Sequence, residues 1–431
     1  MKIRKIAFSL FAVGMMASPL AQATNGYFSH GYGMKAKGMG GAATATASDT
    51  MGGANNPASM VWVGNRLDVG IDWFSPKRAA SRTGSALAGN VDFAETSGSE
   101  NFFIPELGYN HMMNSNMSLG ITVYGNGGMN TSYKSGTSVA SCVLMGGAAP
   151  SNPLCGSGEL GVNLEQLIIA PTLAYKLNDT NSIGITPMYV FQHFRANGLQ
   201  AFGAISANGA ALTNLGHDQS NGWGVRLGWQ GKVGSVTLGA TYSPRVDMSK
   251  LDKYAGLFAE QGDFDIPMNW NLGMAFDASP TVRIALDYEH IDYSGVKSIS
   301  NSSVNPSMPA ALMGNSAGLG FGWNDVNVVK LGIEYKYSNA LTLRAGINHG
   351  TNPIKSTDVT FNILAPGVVT NHYTLGATYG TSKDSEITFA YMRAQEESVS
   401  GTTNPLYFPA GGLDTIKMHQ DSFGLTYGMK F

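Results

Sequence analysis

Three groupings in this chain have residue types and spacing that could do chemistry. Gly314-Asn315-Ser316-Ala317-Gly318 matches G-x-S-x-G, the nucleophile elbow that presents a serine for acyl transfer. That motif works only as a sharp strand-to-helix turn in an α/β-hydrolase sheet, so its meaning depends on the elements around it. Cys142 and Cys155, the two cysteines of the chain, offer a nucleophile, a pair of metal ligands or a disulfide. Their Gly/Ser/Ala/Pro-rich segment holds no histidine to activate a thiolate and no further ligands for a metal. The eight histidines (30, 111, 193, 217, 290, 349, 372 and 419) are scattered, with no H-E-x-x-H and no paired metal spacing. No phosphate-cradling loop is present, and neither a cofactor nor a metal is expected.

The elements that must hold these residues are constrained by composition. The chain has 431 residues, 43% of them hydrophobic and only 13% charged, with 55 glycines. It is too rich in aliphatic and aromatic residues for disorder, and no apolar run approaches the roughly 18 residues of a membrane-spanning helix. A net charge of -2 gives no basic field for nucleic acid. A soluble all-β protein or an outer-membrane β-barrel remains. Lys2, Arg4 and Lys5, the apolar run Ile6 to Met16 and Ala21-Gln22-Ala23 form an export signal, so residues 1–23 are expected to be removed. An exported chain meets an oxidising compartment. A Cys142–Cys155 disulfide is therefore expected, worth about 3 kcal/mol by chain entropy.

From Arg66 onward, short segments alternate apolar with small or polar residues, the period-two pattern of strands with unlike faces. Leu67, Val69, Ile71 and Trp73 oppose Asp68, Gly70 and Asp72; Trp223, Val225, Leu227 and Trp229 oppose Gly224, Arg226, Gly228 and Gln230. Aromatics sit at the ends of the apolar faces, where interfacial girdles belong. About fourteen such segments can be placed: 66–75, 101–112, 117–126, 163–177, 182–195, 221–231, 235–247, 265–277, 281–293, 326–337, 341–349, 371–380, 385–395 and 420–431. The pattern predicts an all-β, fourteen-stranded antiparallel transmembrane barrel over 66–431, with tight periplasmic turns and long extracellular loops. The G-x-S-x-G match then falls in a long loop and reads as chance. Phe423, Leu425, Tyr427, Met429 and the terminal Phe431 share one face, the form in which outer-membrane strands are offered to the barrel assembly machinery.

Residues 24–65 do not alternate. They are small and flexible, yet Tyr27, Phe28, Tyr32, Met34, Met39, Met51, Met60 and Trp62 are too much apolar surface for a free tail. A barrel of this size is wider than its own side chains can fill, so the segment is expected to plug it as an N-terminal hatch. Asn25-Gly26-Tyr27-Phe28, the small-residue stretch, Asn56-Pro57-Ala58 ahead of the first strand and the terminal Phe431 together resemble the FadL/TodX family of outer-membrane transporters for hydrophobic compounds. The resemblance implies a barrel of fourteen strands, a hatch carrying the Asn56-Pro57-Ala58 motif, a loop groove that collects substrate, and a kinked third strand that lets solute leave sideways. Gly125, Gly127 and Gly128 are the candidates for that kink; a simple strand end leading into the following loop is the competing reading.

Leu199, Phe202, Ile205 and Leu212 form a rough stripe in the loop 196–220 and are expected, with Val139, Val143, Leu144, Met145 and Leu154 of the earlier loop, to bind a greasy ligand or cover one another. Family members that take long-chain fatty acids hold the carboxylate with basic side chains, which makes His193 and Arg195 candidates. Lys330 and Arg344 face the lumen by parity and are more often wall charges paired with Asp287, Glu289 or Glu334. The stretch Ser316 to Trp323 has no cation, so neutral or aromatic hydrocarbons stay open beside fatty acids. The expected partners are a hydrophobic small molecule, outer-membrane lipid and lipopolysaccharide, for a monomer of the Gram-negative outer membrane. A general porin and an outer-membrane phospholipase are the rivals from other classes.

Overall fold

The computed structural model describes residues 25–86, 91–134, 142, 151–304, 311–405 and 408–431. The expected leader and the loop residues Val139, Val143, Leu144 and Met145 lie outside them. The strands are β1 (Arg66–Thr83), β2 (Phe93–Thr96), β3 (Phe102–Met112), β4 (Met117–Asn130), β5 (Gly161–Lys176), β6 (Asn181–Asn197), β7 (Asp218–Val233), β8 (Val236–Ser243), β9 (Asn269–Asp277), β10 (Val282–Ile291), β11 (Val326–Lys336), β12 (Leu341–Gly350), β13 (Asn371–Gly380), β14 (Ser385–Thr402) and β15 (Leu413–Lys430). Apart from the short β2, which pairs only with the outer end of β1, each strand is antiparallel to its neighbours. β1 also pairs with β15, from Arg66↔Lys430 to Thr83↔Leu413, so the fourteen long strands close into a barrel.

Alternation sets the two faces. Ile71, Trp223, Leu272, Leu375 and Leu425 point outward and are exposed, as a lipid-facing wall requires, while Asp68, Asp72, Arg226, Asp287 and Gln420 point inward and are buried. Every predicted segment is a strand, but several run further than expected. β1 reaches Thr83 rather than 75, β4 reaches Asn130, β14 reaches Thr402, and β15 begins at Leu413 rather than 420. These extensions stand beyond the apolar belt, where outward positions such as Lys77 and Lys417 no longer need to be apolar and the alternation fades. Conversely, 244–247 and 265–268 leave the ladder apart from an isolated Val246–Ile266 bridge.

Residues 25–65 lie against the inner wall, almost entirely buried, in short helical turns at Met34–Lys37, Thr50–Gly53, Pro57–Ser59 and Met60–Val63. Pro57 opens a turn here. It occupies the first helical position, where its missing donor costs nothing. Asn56 caps that turn by accepting from Ala58 N (3.0 Å), and its amide donates to Thr44 O (2.7 Å) and to Trp229 O of β7 (3.0 Å).

The segment can come this close because the wall presents cross-strand glycine pairs at inward positions. Gly184 pairs with Gly228, Gly239 with Gly273, and Gly332 with Gly346. A methyl group on Gly228 would overlap Asn56 Oδ1, one on Gly239 would overlap Thr44 O, and one on Gly346 would overlap the backbone at Met39 and Gly40. Gly228→Val should therefore cost about 1–3 kcal/mol of hatch docking through overpacking. Expected in detergent is a barrel that keeps its heat-modifiable gel mobility while residues 25–65 become sensitive to protease. An unchanged digestion pattern would show that the contact is dispensable.

Candidate functional site

The site is built in layers from the extracellular end inward. Uppermost, the loops cover one another. Leu199, Phe202 and Leu212 are buried and Ile205 is partly buried, in the large apolar cluster that also holds Leu154 and both cysteines. Phe202 meets Phe361 edge-on at 5.9 Å. Cys142 and Cys155 are bonded, with Cα atoms 5.4 Å apart, so the expected disulfide ties this cap together. The stripe residues do come together, though in short 3₁₀ turns rather than one continuous helix.

Beneath the cap, the start of the hatch meets aromatics from the loops. Tyr27 lies 5.4 Å from Tyr293 and 6.3 Å from Trp323, and Phe28 meets Tyr293 edge-on at 6.1 Å. The Tyr293 hydroxyl accepts from Tyr27 N (3.0 Å) and donates to Asn25 O (2.7 Å). Burial pushes the pKa of this phenol well up, so it stays protonated and keeps donating.

Beside Tyr27 lies a space of about 240 Å³ lined by Gly26, Arg78, Met129, Trp323, Gly367 and Met418, among others. Arg78 is buried, and its guanidinium donates to two backbone carbonyls, Ser99 O (2.9 Å) and Asn130 O. No carboxylate among the described residues ion-pairs with it; the nearby Glu100 bonds Lys77 instead. This is a dry cation facing an apolar space, an arrangement that invites an anion.

The wall is incomplete next to this space. β3 and β4 pair only from Met112↔Ser118 to Leu107↔Val123, although β3 continues along β1 to Phe102 and β4 continues along β5 to Asn130. A register shift between Gly125 and Gly127 leaves Asn126 without a partner in the β4–β5 ladder and turns β4 away from β3. The hatch occupies the freed edge. Phe28 bridges Gly127, Gly128 N donates to Tyr27 O (3.2 Å), and Ser29 N donates to Asn126 O (3.2 Å). Any Cβ on Gly127 would collide with Tyr27 O, whereas one on Gly125 would meet only Ile104 within a tight distance. The bulge therefore falls at the predicted glycines, but they differ in role. Gly127 admits the hatch, so valine there would evict Tyr27 instead of merely straightening the strand.

Lower down, charges hold the hatch. Lys37 Nζ pairs with Asp72 (2.5 Å) and Glu106 (3.2 Å); Lys35 Nζ pairs with Glu386 (2.6 Å), which also takes Arg66. Asp287 accepts from Ala43 N and Thr44 N, both at 2.8 Å. Lys330 and Arg344 are lumen-facing wall charges paired with Glu289 (2.9 Å) and Glu334 (2.7 Å), as parity suggested.

Two candidates are misplaced. His193 and Arg195 continue the outward row of β6 above Ile183, Ile185 and Phe191, with His193 against the rings of Phe191 and His217. They face away from the lumen and cannot hold a carboxylate within it; they were candidates for their basic character, with no face assigned to them. Arg78 was missed because β1 was ended at 75; continued, its inward row reads Phe74, Pro76, Arg78, Ala80 and Arg82. Ser316 of the G-x-S-x-G match sits in a loop, accepting from Lys297 (2.8 Å) and donating to Glu260 (3.1 Å), with no strand-to-helix elbow around it.

A closed fourteen-stranded barrel with an outward apolar belt and an apolar loop cap is an outer-membrane channel. The chain belongs to the outer membrane protein transport protein family (OMPP1/FadL/TodX), which matches residues 12–431. The family consists of outer-membrane transporters of hydrophobic compounds, and the chain is a transport channel and not an enzyme. Among solved structures, it is similar to the Pseudomonas putida toluene transporter TodX, with 19% identity over 93% of this chain and 99% of that one and a TM-score of 0.66. A Pseudomonas aeruginosa FadL homologue gives 15% identity, coverage of 96% and 100%, and a TM-score of 0.66. The Ralstonia pickettii toluene transporter TbuX gives 17%, 93% and 99%, and 0.63. At these identities the likeness is one of fold. No curated protein matches the chain.

Removing the hatch's central cation tests the docking. Lys37→Met leaves two buried carboxylates unpaired, at a cost of about 3–5 kcal/mol. Hydrogen exchange over residues 25–65 should rise sharply while the strands stay protected, and adding Asp72→Asn and Glu106→Gln should restore protection. Equal exchange in all three forms would mean that the charges do not hold the segment.

Proposed function

We propose that this channel carries amphiphiles with an anionic head, long-chain fatty acids foremost. The tail is collected in the cap around Leu199, Phe202, Ile205 and Leu212, and the head binds at Arg78. The observation that carries this reading is the buried guanidinium of Arg78, which has no carboxylate partner among the described residues and lines an apolar space with Met129, Trp323 and Met418. Methionines suit a flexible tail because their side chains adapt to irregular shapes. A neutral aromatic cargo is the second reading, favoured by the rings of Tyr27, Tyr293 and Trp323 around the same space.

Exit is lateral in this proposal. The unpaired upper stretches of β3 and β4 form a slot stoppered by Tyr27, Phe28 and Ser29, with Tyr32 bonded to Asn126 beside them, and a shift of the hatch there would free it. No energy source is required, since cargo moves down its gradient. Residues 1–23 act as the export leader, and the outward-facing Phe431, stacked on Tyr109 at 5.8 Å, serves recognition by the assembly machinery of a monomeric barrel.

Binding of oleate and of toluene to wild type and Arg78→Gln tests the head site. Oleate affinity should fall at least about tenfold, or 1.4 kcal/mol, with toluene unchanged. Equal oleate binding by both proteins would overturn the anionic-head reading. For the slot, cysteines at Ile104 and Gly125 span it, because a Cβ on Gly125 would lie 3.1 Å from Ile104 Cγ2. Oxidation of Ile104→Cys/Gly125→Cys should stop oleate uptake by whole cells and reduction should restore it, with wild type under the same reductant as control. Uptake that persists through the cross-link would exclude sideways exit.

A further inference from the structure

A separate polar chamber lies between the hatch and strands β7 to β11, with Tyr32 of its lining donating to Asn126 Oδ1 of β4 (2.9 Å). It is lined by Tyr32, Asn55, Arg226, Asn271, Glu289 and Lys330, among others. Arg226 is buried, yet its guanidinium bonds only neutral side chains, Ser243 Oγ at 2.8 Å and Asn269 Oδ1 at 3.2 Å. No carboxylate among the described residues ion-pairs with it. Glu289 stands three strands further round the wall, roughly 14 Å away by strand spacing, and is taken by Lys330. Between them the wall carries hydroxyls and amides, and Thr241 Oγ1, within a buried residue, has no hydrogen-bond partner there.

A neighbouring space of about 420 Å³ shares part of the chamber's lining, Ala43 and Asn55, and is lined further by Lys35, Arg283, Glu334 and Arg344. Arg283, Glu334 and Arg344 lie next to the tight turns that close the periplasmic end. Above the chamber, Tyr32 packs against Tyr124 at 4.7 Å and Phe28 against Tyr293, which separates it from the apolar space at Arg78.

We infer that Arg226 forms a second, periplasm-side binding site for a carboxylate anion, reached past Ala43 and Asn55. This inference rests on the reading of the cargo as carboxylate-headed and gives such a head a second route, along the hatch into the periplasm. Only neutral acceptors hold the guanidinium, so a carboxylate can take its remaining donors without displacing an existing ion pair. Asn269 and Asn271 supply further polar contacts beside it.

The test uses the full-length protein in nanodiscs, with Ala43→Cys as the reporter. The substitution is small, and Ala43 lines both spaces. A negatively charged methanethiosulfonate should label this thiol, and hexanoate should slow labelling at least tenfold. Arg226→Gln should abolish that protection, whereas Arg226→Lys, which keeps the charge, should retain most of it and guards against a loss of fold. Arg78→Gln, across the aromatic partition, should leave hexanoate protection intact while weakening oleate binding. No labelling at Ala43→Cys, or equal hexanoate protection in Arg226→Gln, overturns the inference. Oleate binding that ignores Arg78→Gln overturns the head-site reading instead and leaves the protection data to stand on their own.

Discussion

Lys37 sits between Asp72 and Glu106 with almost no water to share its charge, and the lumen is organised around contacts of this kind. A barrel of fourteen strands encloses more width than its inward side chains can fill, and its inner face is polar because the outer face must be apolar. Those inward carboxylates need partners, and the first forty or so described residues bring them: Lys37 for Asp72 and Glu106, Lys35 for Glu386, and backbone donors at Ala43 and Thr44 for Asp287. Burying such charges is unfavourable in isolation and tolerable only with close partners. Hatch and wall are therefore complementary parts of one interior.

Glycine determines how close the two come. With paired glycines at 184/228, 239/273 and 332/346, the hatch backbone lies directly on the strand backbone. At Gly127 the same device has a different result, because the hatch replaces a missing strand partner. The wall is thus continuous where glycines pair with each other, and interrupted where a glycine pairs with the hatch. That distinction separates the hatch's seat on the paired glycines from its contact at the bulge of β4.

Much of this was legible in the sequence. Strand number, strand order, the two faces and the position of the hatch all follow from period-two alternation and from the segment that lacks it. Legibility ended where the lipid ended. Past Ser75, Asn126 and Gln395 the outward residues no longer have to be apolar, so the strands continue unseen, and Arg78 goes with them. His193 and Arg195 were chosen for basic character alone, and the alternation of their strand places them on the outward row with Ile183, Ile185 and Phe191. The glycine seat was visible in principle, since Gly184, Gly228, Gly239, Gly273, Gly332 and Gly346 all fall on inward positions. Its meaning required knowing what lay opposite.

The interior also divides the two uncompensated arginines. Arg78 faces methionine and tryptophan beside the slot, and Arg226 faces hydroxyls and amides above the periplasmic mouth, with Tyr27, Phe28 and Tyr32 between them. A guanidinium without an acid is costly in a dry place, and the cost is higher where the surroundings are apolar. An incoming anion therefore gains most at Arg78 and less at Arg226, where polar groups already share the charge. On the proposed reading, affinity would fall from Arg78 to Arg226, and a carboxylate taken from the cap would be released toward the periplasm without a step that consumes energy. In that proposal the aromatic partition would sort the cargo: a tail that stays in apolar surroundings would leave through the slot, and a head small enough to pass Ala43 and Asn55 would leave below.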